Sequence, residues 1–416
     1  MMFRIKDDIL EEYAALAIEK GVNVQPGQPL EIRASVEAYE LARKCAEKAY
    51  QKGSGKVTIE YLDEQKTRLD YLYLDEESLC DVPKWQLEKV EDNIKKGYCL
   101  LFISGSDPDL LAGLDSEKIH KASVTRMKAM QKYQYYSMNN IGQWSILAYP
   151  EVHWAHKVFP DIQDDDEAME ALWEAILNAS RVEVNKTLSN WDIHNQEIAS
   201  HAAKMNAYGF RSLHFINSLG TDLTVGLIKN HIWEGGCDLS RGDHKAYFNA
   251  NIPTEELFTM PDRFHIDGKV VATKPLSYAG KIIDGFSFEF KDGKVVDFDA
   301  EQNKDVLNDL LDMDEGVRSL GEVALISFDS PISNSGILFY DTLFDENASC
   351  HLALGACYPT NVKNGTQMSS EELYELGGND SMEHVDFMFG SADLQVDGIK
   401  EDGEIVPVFR DGNFVI

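Results

Sequence analysis

The chain of 416 residues is short of positive charge: 39 Lys and Arg stand against 71 Asp and Glu, a formal charge of −32 with histidine neutral. That balance excludes the basic surface that nucleic acid or anionic lipid requires. It leaves cations, metal ions and amines among them, as the partners its field attracts. Long apolar runs are missing too, and no segment approaches the ~20 residues of a membrane-spanning helix. A secretory leader needs an apolar core near the start, where this chain has Asp7, Asp8, Glu11 and Glu12. A cytoplasmic location is the expectation. Cysteines are few, with Cys45, Cys80, Cys99, Cys237, Cys350 and Cys357 scattered and no CxxC pair. They read as free thiols of a reducing compartment.

Familiar catalytic signatures are missing as well. There is no HExxH, GxSxG or GxGxxG. The GSGK at 53–56 lacks the phosphate-loop spacing and follows a helical pattern, so it reads as a helix stop. DMDEG at 312–316 begins like a calcium loop, but the twelfth position from Asp312 is Val323, where the closing glutamate belongs. Cys350 precedes His351, yet neighbours on a strand point apart, which removes a thiol–imidazole pair.

What is present is alternation. Residues 8–20 and 36–52 carry helical apolar spacing, stopped by Gly21 and Gly53, and 167–178 repeats the pattern. PLEIRAS, KVTIEYLD, YCLLFISG and WSILAYP read as strands between such helices, which predicts an α/β domain with a mainly parallel sheet. After about residue 215 helices thin out. GTDLTVGL, KAYFNANIP, GFSFEF with KVVDFDA, GEVALISF and SGILFYDTLF read as strands, with KDGK at 291–294 a hairpin turn. The expectation is an N-terminal α/β domain over 1–215 and an α+β catalytic, metal-binding domain over 216–416.

Within that second half, polar residues interrupt apolar strands. NIPTEELFTMP holds Glu255 and Glu256, and SLGEVALISF sets Glu322 at the head of a buried run. FYDTLFDENASCHLALGACYP holds Asp341, Asp345, Glu346, His351 and Tyr358, and SMEHVDFMFG holds His384 and Asp386. A lone histidine or glutamate of this kind is commonly a hydrogen-bonded core residue. A carboxylate entering a continuous apolar strand is different, because its burial is costly without a partner or cation. His-x-Asp on a strand puts nitrogen and oxygen donors on one face, a set that suits Zn, Mn or Co better than Ca.

The phrases NIPTEELFTMP, GEVAL, LFYDTLFDENASCHLALG and EHVDFMFG, in this order, resemble the thermophilic aminopeptidase family (aminopeptidases T and S, and PepS), and the likeness runs through nearly the whole chain. The resemblance implies a metal-dependent aminopeptidase acting on peptides with a free N-terminus. It implies two divalent ions, from among Zn, Co, Mn and Mg, and a homodimer. It places metal ligands on Glu256, Glu322, His351, His384 and Asp386, and an active-site tyrosine on Tyr358. Strand alternation by itself says only that one of Glu255 and Glu256 faces the site. Glu322 and Glu255 are the carboxylates weighed as general base, with Tyr358 as a hydrogen-bond donor to the oxyanion. Two other functions fit the same residues: a two-metal hydrolase of non-peptide amides or esters, and a non-catalytic metal-binding protein.

Overall fold

The apolar spacing of residues 8–20 forms the α-helix Asp7–Leu16, which buries Leu10, Tyr13, Ala14 and Leu16 and widens into a π-turn at Ala17–Gly21. The structure, a computed structural model, describes residues 5–105, 107–279 and 281–416. Strands β1 (Leu30–Ser35), β2 (Val57–Leu62), β3 (Cys99–Ser104) and β4 (Trp144–Ala148) pair in parallel in the order β2-β1-β3-β4. Burial is near-continuous along β1 and β3, as suits strands covered by helices on both faces, while the edge strand β2 buries no residue. A two-residue strand from much further along, Asn251–Ile252, adds in parallel to β4. The expected parallel sheet is therefore present, and five-stranded.

Two compact units divide the chain. One comprises Met1–Ile193 and Cys237–Pro253, the other His194–Gly236 and Thr254–Ile416. The second unit is built from antiparallel sheets. Eight strands form one, from Ser212–Ile216 to Asn413–Phe414 in sequence. The other has five, in the order His384–Met388, His351–Gly355, Leu320–Leu325, Leu257–Thr259, Glu234–Gly235. Both contribute to a single apolar cluster that includes Phe215, Phe288, Leu325, Leu352, Phe387 and Val396. In the KDGK turn, Asp292 and Gly293 have φ of 50° and 84°, which is the left-handed pair a tight hairpin requires.

One expected strand is not there. SGILFYDTLF reads as extended from its apolar content, but it ends in the helical turn Thr342–Asp345. Its own acids cause this. Asp341 caps the turn by accepting from the Leu343 N–H, and the buried Asp345 carboxylate accepts from the N–H groups of Phe339 and Asp341 at 2.8 and 3.1 Å. Side-chain capping of this kind competes with ladder pairing. We expect Asp345→Ala to cost about 1–3 kcal/mol by stranding two amide donors, checked by denaturant unfolding.

Candidate metal centre

Three adjacent strands have one oily face and one chemical face. Val323 and Leu325, Leu352 and Leu354, and Val385 and Phe387 all enter the apolar cluster. A side-chain period of two then turns Glu322 and Ala324, His351, Ala353 and Gly355, and His384 and Asp386 the other way. Register aligns them: Glu322 lies opposite Ala353, which lies opposite Asp386, while His351 lies opposite Ala324 and His384 opposite Gly355. Each functional side chain thus faces an alanine or glycine on one side, and those small partners leave room, although His351 also lies opposite Met388. A register shift between Leu320 and Glu322, at Gly321, brings Glu322 into that row. Glu256 enters from the residue before strand Leu257–Thr259, whose Phe258 is opposite Ala324.

The five side chains that the family resemblance names as ligands lie together. His351 Nε2 is 3.4 Å from Glu322 Oε1, 3.5 Å from Glu256 Oε2 and 4.0 Å from Asp386 Oδ1. His384 Nε2 is 3.4 Å from both Glu322 Oε2 and Asp386 Oδ1. Two overlapping triads result, Glu256–Glu322–His351 and Glu322–His384–Asp386, with donor atoms of each within 4.8 Å of one another. Glu322 belongs to both. The neighbouring Glu255 instead has its carboxylate 3.9 Å from His194 Nε2. Tyr358 stands beside the cluster, its ring centroid 4.8 Å from His384 and 6.0 Å from Phe258.

The donors fit a cation on three counts. His351 Nδ1 donates to the Glu346 carbonyl at 2.9 Å and His384 Nδ1 to the Ala356 carbonyl at 2.7 Å, so both Nε2 atoms turn inward. Asp386 Oδ1 is buried with no hydrogen-bond partner among the described residues. Donors held about 2.1 Å from a shared ion at near-tetrahedral angles stand about 3.4 Å apart, which matches the spacing of His384 Nε2 from Glu322 and Asp386.

Charge tells the same story. Burial, and then the Glu322 charge, push the Glu256 carboxyl up to about 8. Burial also works against Glu322, but its hydrogen bonds to His351 and His384 hold it at about 2. Burial would lower both imidazoles, yet the carboxylates around them push His351 up to about 10 and His384 well above its ordinary value. Glu346 is pushed well above the carboxylate range by burial and by Glu256 and Asp386. Burial, then Glu322 and Asp386, raise the Tyr358 phenol as well, keeping it protonated. These groups share too much negative charge for the protons available. Glu346 is the member that sequence reasoning noted without giving it a role; its signal was its place five residues before His351.

A model of the thermophilic metalloprotease family (M29) matches residues 6–414. Aminopeptidase 2 of Geobacillus stearothermophilus is 44% identical over 97% of both chains. Aminopeptidase AmpS of Bacillus subtilis is 42% identical, over 97% of this chain and 98% of its own. The solved structure of AmpT from Thermus thermophilus superposes with a TM-score of 0.91 at 38% identity, covering 98% of this chain and 99% of that one.

Gly355 tests the geometry directly. Its φ is +104°, and a Cβ there would lie 2.1 Å from the Glu383 carbonyl oxygen. Gly355→Ala should push His384 out of register and cost about 1–3 kcal/mol, read by thermal unfolding together with loss of divalent-ion binding.

Proposed function

The chain belongs to the thermophilic metalloprotease family M29, and from that premise we propose a two-metal reaction at the Glu322 cluster. The protein is a metallo-aminopeptidase, a hydrolase that releases residues from the N-terminus of peptides. Glu256, Glu322, His351, His384 and Asp386 would hold the ions, with Glu322 shared between the two halves. The observation that carries this reading is the pair of triads joined through that one carboxylate. Three carboxylates and two neutral imidazoles bring formal charge −3, which matches two dications better than one. Zn, Co, Mn and Mg are the candidates, and the mixed nitrogen and oxygen donors favour the first three. Bound there, the ions would supply Lewis acidity and would lower the pKa of coordinated water.

The chain's own groups do the rest. Glu322 joins the two halves, so its loss dismantles both. Glu346 is the carboxylate that would take the proton of the attacking water and return it to the leaving amine, because burial and the Glu256 and Asp386 charges raise its affinity for a proton well above that of an ordinary carboxylate. The Tyr358 phenol, held protonated, donates toward the oxyanion that forms on the scissile carbonyl. Burial of Glu322 and His351 keeps the local dielectric low and strengthens each of these interactions.

Two further properties belong to the same proposal. A second copy of the chain is the expected partner: Leu69, Leu72, Tyr73 and Trp85 lie largely in solvent on the helices Glu64–Tyr73 and Lys84–Lys95, and the first of these helices buries no residue at all. Cytoplasmic residence fits six cysteines that are all unpaired. No helix among the described residues is long and apolar enough to cross a membrane.

Glu322→Gln should reduce hydrolysis of Leu-p-nitroanilide by about 10²–10⁴-fold with far-UV dichroism unchanged; full activity in that variant sinks the assignment. N-acetylation of a peptide substrate should abolish its cleavage, whereas continued turnover would favour a hydrolase of general amides. Chelation should lower the melting temperature, and divalent ions at 100 times their Kd should restore about 2.7 kcal/mol of stability.

A further inference from the structure

Glu256 owes its place to a peptide plane that is held at both of its polar ends. His194, on helix Thr187–Tyr208, is buried, and its Nε2 lies 2.7 Å from the Thr254 carbonyl oxygen. A carbonyl only accepts, so that nitrogen carries the proton. The Glu255 N–H donates to Asn347 Oδ1 at 2.8 Å. Those two groups, the carbonyl of Thr254 and the amide of Glu255, belong to one rigid planar unit. Its rotation is therefore blocked from both edges, one Cα ahead of Glu256.

Asn347 is itself tied to the cluster. It is fully buried, its Nδ2 donates to the Leu343 carbonyl at 3.0 Å, and the same nitrogen stands 3.5 Å from Glu346 Oε1. An amide suits this position because it must accept on one side and donate on the other. An additional carboxylate would meet the Glu346 and Leu343 oxygens head on.

We propose that His194 and Asn347 are positioning residues that set the carboxylate of Glu256 for cation binding, a role that rests on the metal-cage reading above. Neither is itself a donor to the ions. Their effect passes through the Thr254–Glu255 peptide to one donor, so it is felt first as metal affinity and only through occupancy as rate. Partners of this outer kind typically change metal affinity by about 10–100-fold when removed.

Manganese is titrated by calorimetry into the chelator-stripped full-length protein and its Asn347→Leu, His194→Phe and His194→Gln variants, with thermal melts of each metal-free form. Asn347→Leu and His194→Phe should weaken Kd by about 10–100-fold, while His194→Gln, which keeps an N–H donor, stays near the unaltered protein. A lowered melting temperature with unchanged Kd marks a purely structural role and overturns the proposal. So does His194→Gln weakening as much as His194→Phe. If Asn347→Leu does not fold, Asn347→Ala is judged by the same Kd criterion. An unaltered protein that binds no manganese, zinc or cobalt overturns the cage reading instead.

Discussion

Negative charge crowded out of water is the constraint that organises the second unit. Glu256, Glu322 and Asp386 face one another with only two imidazoles between them, in surroundings where an unpaired carboxylate is strongly disfavoured. Among the described residues, the ion pairs of these acids are all to histidine, with no lysine or arginine beside them. Crowding of this sort costs stability unless positive charge arrives from outside, and it accounts for a Glu256 carboxyl held up at about 8. A site arranged this way is selective by default, since few species are both small and doubly charged.

The strands make that crowding possible at low cost. Each gives one face to the apolar cluster and the other to polar donors, so the sheet is anchored by Leu352, Leu354, Val385 and Phe387 irrespective of what the polar face carries. Because side chains alternate, a slip of one residue would bury His351 and His384 in oil and expose the leucines. Hydrophobic burial thereby protects the register on which the chemistry depends. The two imidazoles are each tethered through Nδ1 to a main-chain carbonyl, which fixes tautomer and aim together.

Much of this was legible before any coordinates. Helix and strand periodicity disclosed the parallel sheet because its strands are short, apolar and punctuated by glycine. His-x-Asp at 384–386 announced a shared face, since that inference needs only the pleat. Strand alternation alone left Glu255 and Glu256 undivided: both precede the same strand, and what separates them is a contact with His194, far away in sequence. SGILFYDTLF misled because apolar content says nothing of where the carboxylates of Asp341 and Asp345 will find amide donors. The added strand Asn251–Ile252 carries too few residues to display a period, and only its pairing with β4 reveals it.

That late strand has a consequence for how the chain is made. β4 ends at Ala148, and its second neighbour does not exist until Ile252 has been translated. At about 5–20 residues per second the ribosome leaves this apolar edge open for roughly 5–20 seconds. Throughout that interval the nascent sheet offers a template to any other extended chain.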